Sequence, residues 1–123
     1  MSEVGVVRIL VVEDDPMQRN GLKDLLSLEG YAVETAEDAF RAMKLLEEEH
    51  YDLVISDVHL PGNGFSLLSW SRERYPDLPI ILMTADSQAG YPERARSAGA
   101  FEYLEKPVFG DRLFESVEMA LSA

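Results

Sequence analysis

The chain has 123 residues and no cysteine, and its 11 Lys and Arg residues against 23 Asp and Glu residues give a net charge of −12. This length is typical of one domain, and we expect residues 1–123 to form a single domain. A chain without cysteine has no disulfide framework and no cysteine nucleophile, and it fits a reducing cytoplasm. The negative charge repels nucleic acid and anionic lipid, and no apolar run approaches the length of a membrane span, so neither partner is expected.

Five short apolar runs alternate with amphipathic segments along the chain. Each run has the length of a β-strand and is rich in β-branched or aromatic residues. Strands that alternate with helices predict a parallel sheet with helices on both faces. The runs are Val6–Val12, Tyr31–Glu34, Leu53–Ser56, Ile80–Met83 and Phe101–Leu104.

The segments between the runs contain recognisable helix ends. Asp15 followed by Pro16 predicts the start of a first helix, and Gly30 predicts its end. Residues 35–38 resemble a capping box for a second helix, in which Phe40 belongs to the apolar stripe. Further helices are predicted over 65–74, over 92–98 with a short length because of Pro92, and after a cap at Asp111.

The polarity of the runs predicts their order in the sheet. The first, third and fourth runs are almost wholly apolar, as strands buried on both faces must be, whereas the second and fifth carry Glu34, Glu102 and Glu105 and suit the edges. The prediction is a doubly wound α/β domain with a five-stranded parallel sheet in the order 2-1-3-4-5, the flavodoxin-like (βα)5 fold. In such a sheet, ligands bind beyond the carboxyl ends of the strands.

Polar residues stand at the carboxyl ends of four of these runs. Glu13 and Asp14 follow the first run, Asp57 follows the third, Thr84 follows the fourth and Lys106 comes shortly after the fifth. Oxygen ligands without a nearby pair of imidazoles favour Mg²⁺ over zinc. A carboxylate can also attack phosphorus and form an acyl phosphate, with the hydroxyl and the ammonium holding the phosphoryl oxygens.

With these four strand-end motifs, the chain resembles the receiver domains of two-component response regulators from Ile9 to about Leu121. Both a stand-alone, chemotaxis-regulator-like protein and the N-terminal receiver module of a longer regulator fit the resemblance. It implies a phosphoacceptor signalling domain rather than an enzyme, with self-catalysed phosphotransfer and slow autodephosphorylation. The implied donor is a sensor histidine kinase or a histidine phosphotransfer protein. The output partner is not indicated, and a phosphorylation-dependent dimer is compatible with the family.

The resemblance also implies a role for each matching residue. Asp57 corresponds to the phosphoacceptor, and Thr84 and Lys106 correspond to the hydroxyl and the lysine that act with it. Thr84 and Tyr103 correspond to the pair of switch residues. Lys106 and Pro107 correspond to a cis peptide bond of the family.

The same resemblance implies a Mg²⁺ site made of three side chains and one backbone carbonyl. The implied metal ligands are Glu13, Asp14, Asp57 and the backbone carbonyl of His59.

One departure from the family lies in the loop after the third run. The span from Asp57 to Gly64 is one residue shorter than usual, so the third helix is expected to start at a shifted position.

Two other functions fit parts of the pattern. A haloacid-dehalogenase-like phosphatase also uses an aspartyl nucleophile with Mg²⁺, but it needs a second acid two residues later, where this chain has His59. A pseudo-receiver, which only binds partners, is expected to lack Asp57, Asp14 or Lys106, and all three are present. A Rossmann or P-loop nucleotide binder is excluded because no glycine-rich loop follows the first run.

Overall fold

The computed structural model describes residues 5–123, which form five parallel strands and five helices in strict alternation. The sheet order is β2-β1-β3-β4-β5, which confirms the predicted order and fold class. The strands are β1 (Arg8–Val12), β2 (Ala32–Ala36), β3 (Leu53–Asp57), β4 (Ile80–Thr84) and β5 (Glu102–Glu105). The helices are α1 (Pro16–Leu28), α2 (Ala39–Glu48), α3 (Gly64–Arg74), α4 (Tyr91–Ser97) and α5 (Gly110–Ser122).

The register of the strands brings their carboxyl ends to one rim. Val12 of β1 pairs with Ser56 of β3, and Asp57 then pairs with Met83 of β4. At the far edge, Thr84 of β4 pairs with Glu105 of β5. The residues that end these strands therefore lie next to one another along a single edge of the sheet.

The apolar side chains form two layers, one on each face of the sheet. Residues that alternate along β1 belong to different layers, with Leu10 in one and Ile9 in the other, as expected for a central strand. One layer packs under α2, α3 and α4, and the other packs under α1 and α5. None of the helices within residues 5–123 is both long and apolar enough to span a membrane.

Two predicted helix ends are confirmed. The Asp15 side chain accepts a hydrogen bond of 2.9 Å from the Gln18 N–H and caps α1. Gly30 has a φ of +92° just after α1, a conformation that glycine adopts at little cost. The fourth helix is short, as Pro92 predicted, and covers seven residues.

Three details differ from the expectations. Residues 35 and 36 belong to β2, so there is no capping box, and Asp38 alone caps α2 by accepting from the Arg41 N–H. Asp111 lies in the first turn of α5, whose N-cap is Phe109 without a side-chain bond. Phe40 is 68% exposed because the buried stripe of α2 consists of Ala39, Ala42, Leu45 and Leu46.

The short loop between β3 and α3 is closed by a tight backbone contact. Gly64 begins α3, and its N–H donates to the Val58 carbonyl at 2.9 Å. A Cβ at Gly64 would overlap the Asp57 carbonyl oxygen and lie 2.8 Å from the Val58 Cα. The loop therefore needs glycine at this position, since the backbone of Asp57 and Val58 leaves no room for a side chain.

We expect Gly64→Ala to lower the free energy of unfolding by about 1–3 kcal/mol, the usual cost of overpacking. The matched control is Gly21→Ala in the exposed interior of α1, where a Cβ would meet no atom within 4 Å. That variant should instead raise the free energy of unfolding by about 0.5–1 kcal/mol, because alanine has less backbone freedom to lose on folding than glycine. Urea unfolding of both variants measures the difference, and equal effects would contradict the close contact in the loop.

Candidate functional site

A cavity of about 270 Å³ lies at the carboxyl ends of the strands. It brings together all the site residues predicted from the sequence except Tyr103. Its lining includes Glu13, Asp14, Asp57, His59, Thr84 and Lys106. The strand register, rather than proximity in sequence, places these groups side by side.

Asp57 is the last residue of β3 and is only 7% exposed. One carboxylate oxygen, Oδ1, accepts a hydrogen bond of 2.8 Å from the His59 N–H. The other, Oδ2, accepts from the Lys106 Nζ at 2.6 Å. Both oxygens are thus held in fixed directions by donors from two loops.

Lys106 is the centre of the charge arrangement. Its Nζ donates to Asp57, to the Glu13 Oε1 at 2.7 Å and to the Gln18 side-chain oxygen. Burial acts to lower the pKa of this ammonium, but the hydrogen bonds and charges of Asp57 and Glu13 raise the pKa above its ordinary value. The Lys106 N–H also donates to the Thr84 carbonyl at 2.8 Å. The peptide bond to Pro107 is cis, as the resemblance implied.

Glu13 is a buried carboxylate, 2% exposed, directly after β1. Its N–H continues the β1–β2 ladder to the Ala36 carbonyl at 3.0 Å, and its Oε2 accepts from the Asp15 N–H at 3.1 Å. Burial raises the pKa of Glu13 above its ordinary value, while the hydrogen bond from Lys106 acts in the opposite direction. Two carboxylates therefore share one ammonium, which leaves local negative charge that a further cation can neutralise.

Asp14 lines the same cavity but is exposed, in contrast to its neighbour Glu13. Among residues 5–123, no three acidic or histidine side chains are grouped closely enough to hold a metal ion. The Lys106 ammonium instead lies between the carboxylates of Glu13 and Asp57. The oxygen donors expected for Mg²⁺ line the cavity, but Lys106 binds two of them and their side chains are not grouped into a metal site in this arrangement.

The two residues predicted to form the switch lie on neighbouring strands. Thr84 is fully buried at the end of β4, and its Oγ1 accepts a hydrogen bond of 3.1 Å from the Asp86 N–H. Tyr103 lies half-buried on β5, and its hydroxyl is 2.8 Å from the Ser87 Oγ. Both are therefore joined to the loop that follows β4.

Sequence reasoning missed two partners of these residues. Gln18 binds the Lys106 ammonium, and its only signal in the sequence is its place three residues after the Asp15 cap. Ser87 binds the Tyr103 hydroxyl, and nothing in the local pattern marks it. Both contacts depend on how separate elements approach one another.

Known proteins resemble this chain in sequence and in structure. The sequence matches the response regulator receiver domain family over residues 9–118. It is 40% identical over 111 residues to the response regulator protein FleR of Pseudomonas aeruginosa, which covers 89% of this chain and 24% of FleR. It is 41% identical to the sensor protein EvgS of Escherichia coli over 85% of this chain and 9% of EvgS.

A solved structure supports the same relationship. The CheY-like response regulator receiver domain protein from Methanospirillum hungatei aligns with a TM-score of 0.91 and 31% identity, over 95% of this chain and 94% of that one. The chain belongs to the response regulator receiver domain family, whose members are signalling domains of two-component systems. It spans about a quarter of the length of FleR.

We expect Lys106→Met to lower the free energy of unfolding by about 3–5 kcal/mol, because it leaves two buried carboxylates without a counter-charge. The matched control is Lys44→Met, which removes an exposed pair with Glu48 at 3.8 Å and should change stability by less than about 0.5 kcal/mol. Adding Glu13→Gln to Lys106→Met should recover part of the loss. Thermal and urea unfolding measure the three variants, and a Lys106→Met protein as stable as the control would contradict the buried pairing.

Proposed function

We propose that Asp57 accepts a phosphoryl group from a phosphohistidine of a sensor histidine kinase or histidine phosphotransfer protein. The observation that carries the proposal is the Asp57 carboxylate beside the cavity, held by the Lys106 ammonium and the His59 N–H. An Asp57 oxygen attacks phosphorus, a P–O bond forms, and the P–N bond to the donor imidazole breaks with its electron pair on nitrogen. The match of this chain to part of the sensor protein EvgS supports a sensor protein as the partner in this transfer.

Lys106 has the geometry to hold the transferred group. Its three N–H bonds go to two carboxylates and one neutral amide oxygen, that of Gln18. The amide is the weakest of these acceptors, so the N–H that it binds is the one most easily redirected to a phosphoryl oxygen. The ammonium then neutralises part of the charge that phosphorylation adds. We propose that the acyl phosphate is later hydrolysed slowly within the same cavity.

We also propose that Mg²⁺ is the cofactor, bound by Glu13, Asp14, Asp57 and the His59 backbone carbonyl. The support is chemical: these are hard oxygen donors, and Glu13 and Asp57 share only one ammonium between them. Mg²⁺ would neutralise negative charge on the phosphoryl oxygens during transfer. Because Lys106 already binds Glu13 and Asp57, we expect the unphosphorylated domain to bind Mg²⁺ weakly.

The proposed switch acts through Thr84 and Tyr103. The Thr84 Oγ1 uses a lone pair to accept from the Asp86 N–H, so its own O–H is available to a phosphoryl oxygen. A rotation of Thr84 toward that oxygen weakens its bond to Asp86 and shifts the loop that also holds Tyr103 through Ser87. The new contact is charge-assisted and worth about 1.5–3 kcal/mol, enough to bias two states by roughly ten-fold or more.

Several wider properties follow as parts of the same proposal. Residues 1–123 form one receiver domain, supported by a family match that covers 9–118 within one sheet. The domain works in the cytoplasm, where ATP-dependent kinases make the phosphodonor. Its output is either an attached domain, as the greater length of FleR suggests, or a separate effector, and dimerisation on phosphorylation is compatible with both.

The first test of this function is Asp57→Asn, which keeps the shape of the side chain but removes the nucleophile. A small phosphodonor with Mg²⁺ should add one acid-labile phosphoryl group to the wild-type protein and none to Asp57→Asn. Asp77→Asn, the same change in an exposed turn before β4, is the control and should be labelled like wild type. Intact-mass analysis reads the result, and labelling of Asp57→Asn at the wild-type rate would exclude the assignment.

The second test concerns the metal. Ligand bound only to the folded state at ten times its Kd adds about 1.4 kcal/mol to stability, a rise of several degrees in Tm for a domain of this size. We expect such a rise on changing from EDTA to millimolar Mg²⁺, and a loss of most of it in Asp14→Ala. Asp15→Asn, which retains the cap of α1, is the control. An identical Tm with and without Mg²⁺ would count against the site.

The third test separates phosphorylation from switching. Thr84→Ala should still be phosphorylated at Asp57, because the hydroxyl is not the nucleophile, but it should lose the response of Tyr103. Amide NMR shifts with and without beryllofluoride, which mimics the phosphoryl group, measure that response at residues 86–87 and 102–104. A Thr84→Ala protein with wild-type shift changes at these residues would rule out this route.

A further inference from the structure

The His59 side chain joins the two loops on either side of Asp57. Its Nε2 lies 3.1 Å from the backbone carbonyl oxygen of Asp86, and its ring centroid lies 5.7 Å from that of Tyr91. A carbonyl oxygen only accepts hydrogen bonds, so the Nε2 must bear the proton and donate it. The loop after β3 is thereby connected to the loop after β4 and to the first residue of α4.

The amino-terminal turn of α4 has aromatic contacts in place of a side-chain cap. Its N-cap is Gly90, which supplies no side-chain hydrogen bond to the helix. Tyr91 instead packs edge-on against Phe65 of α3, with ring centroids 5.2 Å apart. The Arg94 guanidinium lies 4.0 Å from the Phe65 ring centroid. The first turn of the short helix is therefore held by packing on His59 and Phe65 rather than by a side-chain cap, while Ala95 is buried in the core.

His59 also contacts the proposed phosphoacceptor through its backbone. Its N–H donates to the Asp57 Oδ1 at 2.8 Å, while its ring contacts Asp86 and Tyr91. A phosphoryl group on Asp57 changes the charge and the position of the oxygens available to this N–H. A shift of the His59 backbone would move its ring, which packs against Tyr91 at the start of α4.

The backbone of Asp86 is hydrogen-bonded to both the His59 ring and the Thr84 hydroxyl. Its N–H donates to the Thr84 Oγ1 at 3.1 Å, and its carbonyl accepts from the His59 Nε2. The same residue is thus held from both sides of the cavity. A rearrangement of either Thr84 or His59 changes the loop that leads into α4.

We propose that the His59 imidazole couples Asp57 to α4 through Asp86 and Tyr91, by a route that shares Asp86 with the Thr84 contact but does not pass through Tyr103. This inference rests on the proposed phosphoacceptor function of Asp57. In it, the His59 imidazole is a positioning group: it sets the place of α4 in each state of Asp57 and, unlike the His59 backbone, takes no part in the transfer itself.

The first measurement uses the wild-type protein and the imidazole nitrogen shifts of His59 at about pH 8. We expect the tautomer with the proton on Nε2. On addition of beryllofluoride with Mg²⁺, the Nε2 shift should change along the same titration curve as the amides of residues 91–97. A proton on Nδ1, or an unchanged Nε2 shift while α4 amides move, would overturn the inference.

The second measurement compares two substitutions of Tyr91, which lies outside the proposed phosphorylation machinery. Tyr91→Phe keeps the ring that contacts His59 and Phe65, whereas Tyr91→Leu keeps apolar bulk and removes the ring. We expect Tyr91→Leu to reduce the beryllofluoride-induced shift changes over 92–97 by about two-fold or more, and Tyr91→Phe to retain them. Shift changes at residues 102–104 should persist in both variants, because Tyr103 has its own route through Ser87.

Phosphate labelling separates the failure of this inference from the failure of the proposed function. If both Tyr91 variants are labelled at Asp57 and respond over 92–97 as fully as wild type, the coupling through His59 is wrong while the phosphoacceptor assignment stands. If wild-type protein is not labelled at Asp57, the proposed function fails and the inference fails with it. Labelling in all three proteins with a loss of the α4 response in Tyr91→Leu alone supports the coupling.

Discussion

The site depends on one buried interaction, the contact of the Lys106 ammonium with the carboxylates of Glu13 and Asp57. Each charge by itself would be costly to bury, and together they leave only partial negative charge at the rim. The contact joins residues at the carboxyl ends of β1, β3 and β5, so it forms only when the sheet has its full parallel order. The fold and the chemistry of the cavity are therefore linked through a single side chain.

A second constraint is the short backbone connection between Asp57 and α3. The Asp57 carbonyl leaves no space for a Cβ at Gly64, and Asn63 takes a φ of +70° while its side chain accepts from the Phe65 N–H at 2.7 Å. This closed loop holds His59 beside Asp57, with its N–H on the carboxylate. The connection between β3 and α3 thus delivers a backbone donor to the proposed phosphoacceptor, Asp57.

The loop after β4 is held by side-chain hydrogen bonds, whereas the connection after β3 is closed by a tight backbone contact. Thr84, His59 and Tyr103 each contribute a side-chain contact to the stretch from Asp86 to Ser87. These contacts are few and involve neutral hydrogen bonds, which contribute about 1 kcal/mol each. A charged group at Asp57 can therefore redistribute them, whereas the same energy would not displace the buried strands of the sheet.

The sequence by itself determined the strand order, the edge strands and the carboxyl-end residues of the cavity, because apolar runs, acidic edges and strand ends are local patterns. It also predicted the Asp15 cap and the short α4, which depend on neighbouring residues in the chain. Only the tertiary structure decided that Phe40 is exposed, that Gln18 binds Lys106 and that His59 reaches Asp86. The last two contacts join residues 88 and 27 positions apart, and the exposure of Phe40 depends on which side of α2 faces the sheet, so all three are set by how the elements pack.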